Sequence, residues 1–305
     1  MPFIRRIPVA MSALALGLAA LGNLLAPYSP EVRLVCGAIA AICALLLLAR
    51  LILDFAGVRA ELKNPAALAV APAFPMALML LATYLKPYAG AAAFGLWAVA
   101  LALQLAIVAL FIARLVTVKS LAGCLPSWFL IFVGYVVGAV TSPAFEMQPL
   151  GRVLLYAGVA GYLVALPLIV LGLRRADALP APALPTMAIF AAPSSLCLVG
   201  YLAVTDAKQA WIVYVLLAIS AISLVYVFTH LPGILKLGFH PGFAALTFPF
   251  VITAIALKQS GAFLAKSGAA LAIPSAAIML MDAFAAVMVV YVLARYVMHL
   301  ARARG

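Results

Sequence analysis

The sequence predicts an all-α integral membrane protein: ten transmembrane helices built as five helical hairpins in a quasi-five-fold arrangement. Three observations carry this. First, 69% of the 305 residues are hydrophobic and only 9% are charged. Soluble folds carry roughly 25% charged residues, so a bilayer is the natural solvent for this chain. Second, the apolar residues fall in ten continuous runs without β-type alternation. A transmembrane helix takes ~20 such residues, and helices are then the spanning structure that satisfies the backbone in lipid. Third, Pro8, Pro65, Pro126, Pro185 and Pro241 each open an apolar run, at intervals of 57, 61, 59 and 56 residues. No polar stretch is long enough for a soluble domain, so residues 1–305 are expected to form a single transmembrane domain.

The runs can be taken in order. The first, 8–26, follows Arg5-Arg6 and imitates a signal peptide. Its apolar part exceeds the 7–15 residues of a signal h-region, and its proline-led start matches the later repeats, so it reads as a transmembrane helix. The second is 34–53, and the third, 65–85, contains Pro72 and Pro75. The fourth, 88–113, holds Gln104, which suits an interhelical hydrogen bond. The fifth, 126–140, is short and runs on toward Pro143; the sixth, 150–173, has Pro167 late in its span. The seventh is 185–204 with Pro193, the eighth 209–229, the ninth 241–264 with Pro249, and the tenth 270–298.

The odd and even runs differ in kind. Pro72, Pro75, Pro193 and Pro249 fall 7 to 10 residues after their marker prolines, about 11–15 Å into the membrane at 1.5 Å per residue. A proline there kinks the helix and frees a carbonyl, which is tolerated where it faces protein or a water-filled cavity. The even runs are richer in uninterrupted Leu, Ile, Val and Ala, as in 40–49 and 213–227. The simplest arrangement puts five kinked odd helices inside, around a central path, and five straight even helices outside. The same prolines also fit packing devices kept from a duplicated ancestor.

Orientation follows from the basic residues. Thirteen (Arg5, Arg6, Arg50, Arg59, Lys63, Arg114, Lys119, Arg174, Arg175, Lys236, Arg295, Arg302 and Arg304) fall on one side. Six (Arg33, Lys86, Arg152, Lys208, Lys258 and Lys266) fall on the other. The positive-inside rule places both termini and all five marker prolines in the cytoplasm, and a multi-pass protein of the inner or plasma membrane is expected. The net charge of +12 is first this topological excess and second a positive field suited to an anion path. No Lys/Arg cluster with interleaved aromatics points to nucleic acid. Cys36, Cys43, Cys124 and Cys197 lack metal spacing and read as small packing residues, so neither metal nor cofactor is expected. The seven acidic residues stand singly, without the paired carboxylates or nucleotide loop of an enzyme.

Five pieces of sequence carry a resemblance. They are Gly17-Leu-Ala-Ala-Leu21, Val58-Arg-Ala-Glu61 with Asn64-Pro65, Pro126-Ser-Trp-Phe129, Pro185-Thr-Met-Ala-Ile-Phe-Ala-Ala-Pro193, and Gly242-Phe-Ala-Ala-Leu-Thr-Phe-Pro249. As an ordered set over nearly the whole chain they resemble the tellurite-resistance/dicarboxylate transporter family. That family includes TehA-like channels, fungal malate permeases and plant slow anion channels. The resemblance implies an inner ring of odd helices lining a pore, a homotrimer, and passage of small anions: chloride, nitrate, malate or sulfite. It also implies that an aromatic ring of the ninth helix, Phe248 here, gates the pore. Pro249 follows it where TehA-like sequences can carry glycine, so backbone flexibility beside the ring differs from theirs. A proton-coupled dicarboxylate, sulfite or tellurite exporter on the same fold is the alternative, weakened by the lack of titratable groups in mid-membrane of the odd runs.

Two charges fall well away from the ends of the runs, Lys258 in the ninth and Asp282 in the tenth. Intramembrane ionisable groups are functional candidates. The pair reads first as a structural ion pair between neighbouring helices and second as an anion-attracting charge at an outer vestibule. His230 and His240 flank the connection before the ninth run and His299 lies near the C-terminus; histidine is the residue type suited to pH sensing, and for the first two a solvated role competes with it.

Overall fold

The computed structural model describes residues 3–118, 125–175, 179–269 and 272–302. Lys119, Cys124, Arg304 and the first two residues of the expected tenth run lie outside them. Among the described residues every regular element is helical, as the composition requires.

Five long helices are mostly exposed along their length: α2 (Pro30–Leu53), α6 (Gly90–Val118), α9 (Gln148–Arg175), α11 (Ala210–Leu235) and α13 (Ser275–Arg302). They correspond to the even runs. The odd runs are interrupted. The first comprises the turn after Pro8 and α1 (Met11–Leu25), and the third comprises α4 (Pro65–Val70) and α5 (Ala73–Leu85). Between α2 and α4 lies a short helix, α3 (Phe55–Glu61), that the hydropathy pattern does not announce. The fifth is α7 (Trp128–Phe132), α8 (Val136–Thr141) and a 3-10 turn, Ser142–Phe145. The seventh is a 3-10 segment, Ala181–Ala191, followed by α10 (Ala192–Val204). The ninth is a 3-10 segment, Pro241–Leu246, followed by α12 (Phe248–Lys266).

Among the described residues eight helices are long and apolar enough to cross a membrane, while Met11–Leu25 and Val136–Phe145 are shorter. The odd members of the long set are 61–89% buried and the even members 17–39%. α1 is buried almost throughout; its Ala- and Gly-rich sequence lets neighbouring backbones approach closely. It packs on α5, α5 on α8, α8 on α10, α10 on α12, and α12 back on α1. Each of these carries its following long helix on its outer side: α2, α6, α9, α11 and α13.

The interruptions differ in form from simple proline kinks. Pro75, Pro193 and Pro249 sit in the first turns of α5, α10 and α12, and Pro72 is the N-cap of α5. In that turn a missing N–H costs nothing. Each proline therefore starts a second, α-helical half rather than bending a continuous helix. The marker prolines stand ahead of these halves, in turns, a single helical turn or 3-10 segments. Pro167 lies inside α9 as expected, and Pro232 interrupts α11 near its end.

Candidate functional site

Two cavities lie on the buried face of the odd segments. One, about 270 Å³, opens toward the face where those segments begin and is walled by all five, with Ala13, Met76, Leu130, Thr186 and Ala245 as one residue from each. The other, about 260 Å³, opens toward the opposite face and is again walled by all five, for example by Ala20, Thr83, Thr141, Val199 and Ile252. Among the described residues, Phe248 and Leu196 alone line both. Both are buried. Phe248 is the first residue of α12, immediately after Thr247, whose backbone (φ −101°, ψ −82°) is neither helical nor extended.

Hydroxyl groups repair the broken backbone around this point. Thr247 Oγ1 donates to Ala13 O of α1 at 3.0 Å and is 2.7 Å from its own Ala244 O. Thr253 Oγ1 lies 3.0 Å from Ala191 O and 2.8 Å from Pro249 O, and Ser195 Oγ is 2.9 Å from Ala191 O. Ser195 also meets Ser220 of α11 at 2.6 Å. In lipid these bonds take the place that water would fill. At the fifth segment Leu130 O, which accepts from Gly134 N–H at 3.1 Å, also accepts from Gln104 Nε2 on α6 at 3.3 Å, the interhelical role its sequence position suggested. Gly134 is required there, because a Cβ would stand 2.2 Å from Leu130 O.

Gly17 fixes the approach of α1 to the Phe248 turn. A Cβ at this position would lie 2.4 Å from Thr247 Oγ1 and 3.1 Å from Phe248 N. Gly17→Ala is therefore expected to displace Thr247, break its bond to Ala13 O and lower stability by about 1–3 kcal/mol, as overpacking does. A thermal-unfolding comparison with Ala19→Gly, on the same helix, checks it; an unshifted midpoint for Gly17→Ala would show that the contact yields freely.

The walls are mostly apolar; the second cavity carries the uncharged Asn23, Thr83, Thr141 and Gln259, and the titratable Glu61 and His240 line the first. Glu61, at the end of α3, lines the first cavity. Its Oε1 accepts from Val9 N–H at 2.9 Å and its Oε2 meets Arg50 Nη1 at 2.6 Å. Arg50 is buried and also donates to Ile7 O. His240 lines the same cavity; its Nδ1 accepts from Gly242 N–H at 3.2 Å, capping the 3-10 turn. Partial burial pushes its imidazole below the usual histidine range, which favours the neutral ring. His230 lies elsewhere, half-buried against Tyr226, and the His299 ring is tilted beside that of Phe239.

Lys258 and Asp282 meet at 2.9 Å between α12 and α13. Asp282 also accepts from Tyr28 OH at 2.9 Å, while Lys258 donates to Leu24 O at 3.1 Å and lies over the Tyr28 ring. Neither residue lines either cavity. Of the residues singled out in the sequence, the structure thus gathers Phe248, Pro193, Pro249 and His240 at the first cavity and sets Lys258 and Asp282 apart. Pro75 starts α5 without lining either space. Leu196 and Glu61 carry no sequence signal of their own: one is an aliphatic residue in an apolar run, the other ends a helix too short for hydropathy to reveal.

Buried, interrupted helices around two stacked apolar cavities, clad in lipid-length helices, define the class of membrane channels and transporters. The family model described as voltage-dependent anion channel (SLAC1) matches residues 6–300, and the chain belongs to that family. It is therefore a multi-pass membrane protein of an anion channel and transporter family whose members are not enzymes. Comparison with curated proteins gave no match.

Proposed function

We propose that the chain is an anion channel whose ten spans form five hairpins, with the odd segments in a quasi-five-fold ring around a central path closed by Phe248. The observation that carries this is the position of Phe248, with Leu196, as the shared wall of two cavities that each touch all five odd segments. The closed packing order α1, α5, α8, α10, α12 supports the ring. The first and fifth spans reach membrane length when the proline-led turns are added, giving 8–25 and 126–145.

A buried phenyl ring between apolar cavities can stop ions by excluding water. Pro249 holds the backbone beside it, so opening by side-chain rotation fits better than opening by local backbone flexing. Among the described residues the walls carry no arginine, which suits passage of weakly held small anions of the chloride, nitrate, malate or sulfite class. The marker-proline face, with the excess of Lys and Arg, is the cytoplasmic one, and it carries both termini. A homotrimer rests on the family resemblance. Anion currents through the wild type and Phe248→Ala in planar bilayers, recorded across chloride, nitrate, malate, sulfite and tellurite, test the reading.

One observation favours the proton-coupled exporter as second reading: Glu61 and His240, both titratable, line the first cavity. Both Glu61 oxygens are already bonded, which leaves the channel reading ahead. Glu61→Gln is accordingly expected to leave anion flux indifferent to a proton gradient, as in the wild type. Wild-type flux that follows a proton gradient and is lost in Glu61→Gln would establish the exporter instead.

A further inference from the structure

The described cations of the opposite face divide into two groups. Arg152 is paired with Asp206 at 2.8 Å and Lys258 with Asp282 at 2.9 Å. Arg33, Lys86, Lys208 and Lys266 have no carboxylate within ion-pair distance among the described residues. These four come from four different hairpins, at or beside the connection between the buried segment and its outer helix.

None of the four is itself in the wall of the second cavity, but each lies beside a residue that is. Arg33 Nε donates to Asn23 Oδ1 at 3.1 Å, and Asn23 lines that cavity; the guanidinium also lies 4.3 Å from the centre of the Tyr84 ring. Lys86 Nζ donates to Ala144 O, and Ala144 lines the cavity too. Lys208 and Lys266 line an open hollow of about 600 Å³ together with Gln259, which is also part of the cavity wall. The first cavity is different. Among the described residues neither wall includes a Lys or Arg, but the first carries the Glu61 carboxylate, and the Arg50 beside it is paired with that carboxylate at 2.6 Å.

We propose that Arg33, Lys86, Lys208 and Lys266 form an anion-gathering rim at the outer mouth, where small inorganic anions collect before entering the second cavity. Its part in conduction rests on the channel reading, whereas its charge does not. Rings of Lys and Arg select for anions at pore mouths, and uncompensated charge over a concave surface raises the local counter-ion concentration. The field reaches about 10 Å at 0.1 M salt. Pairing, rather than number, makes this the positive mouth: Arg50, beside the first cavity, is matched by Glu61, whereas these four have no carboxylate partner among the described residues.

The protein contains a reporter for the rim. Trp97 and Trp128 are buried, whereas Trp211, three residues beyond Lys208, is 64% exposed. Tryptophan quenching of the purified protein by iodide, an anion, and by acrylamide, which is neutral, is compared at low ionic strength. Lys208→Glu with Lys266→Glu is expected to lower the iodide quenching constant by about twofold or more, twofold being the factor that one charge at about 8 Å produces in water. Acrylamide quenching should stay the same, and the iodide difference should vanish at 1 M salt, where screening acts within about 3 Å. Unchanged iodide quenching overturns the rim. If acrylamide quenching moves, the fold has changed, and the Lys208→Gln, Lys266→Gln pair decides by the same measurement. In a Phe248→Ala background the charge-reversed pair should also reduce, at low salt, the current carried by anions entering from the outer face. Absence of any current in Phe248→Ala alone counts against the channel reading, while the iodide result still decides the rim.

Discussion

Phe248→Ala is expected to raise anion current roughly ten- to a hundredfold at matched expression, the factor for removing ~1.4–2.8 kcal/mol of barrier. The ring is buried at the junction of the two cavities. Cutting it back to a methyl group joins them into one space walled by all five odd segments and relieves the apolar constriction that keeps water out. Leu196→Ala removes the smaller of the two shared side chains and should raise current less, and the double variant should conduct most. Phe248→Tyr, which keeps the ring, should stay close to the wild type. Planar-bilayer recording checks the order. Equal currents for wild type and Phe248→Ala, with both proteins folded, would take the constriction away from Phe248.

The second large effect concerns stability. Asp282→Ala should destabilise the protein by about 3–5 kcal/mol, because it leaves the Lys258 ammonium without its counter-charge between packed helices. The Asp282 side chain is 5% exposed and that of Lys258 24%, so little solvent is at hand to replace the pair. Replacing both together, as Lys258→Met with Asp282→Leu, should recover most of the loss, since apolar substitutes of similar volume commonly match a buried pair. A double-mutant cycle of thermal unfolding reads both. Currents per folded molecule should be unaffected, because neither residue lines a cavity. A fully stable Lys258→Met with altered current would reverse the assignment and place Lys258 in the path.

The parts of the fold that hydropathy governs could be read from the chain. The even runs are continuous apolar helices, and α2, α6, α9, α11 and α13 extend at or beyond the expected limits at most of their ends. The odd runs were recognisable as different because proline is a local signal. The form of their interruptions was less so. Whether Pro193 bends one helix or begins another depends on how the residues before it satisfy their backbone, and 181–191 adopts 3-10 geometry. Thr247, Thr253 and Ser195 then bond carbonyls across or along the breaks, a pairing with no trace in local sequence. The Lys258–Asp282 contact was within reach because two charges at matching depth have few other partners in lipid. Glu61 was quoted only as part of a motif: its meeting with Val9 N–H and Arg50 depends on α3, seven residues long and without a hydropathy signal. Leu196 was invisible, since only the third dimension separates it from the other leucines.

Access from the two sides of the membrane tests the central path most directly. In protein with its native cysteines replaced by alanine, Ala245→Cys marks the first cavity and Ile252→Cys the second. With Phe248 in place, a membrane-impermeant thiol reagent is expected to modify Ala245→Cys only from the cytoplasmic face and Ile252→Cys only from the outer face. With Phe248→Ala, each should become reachable from both. Modification of both sites from both faces while Phe248 is present, or of neither site once it is removed, would contradict a single path closed at that ring.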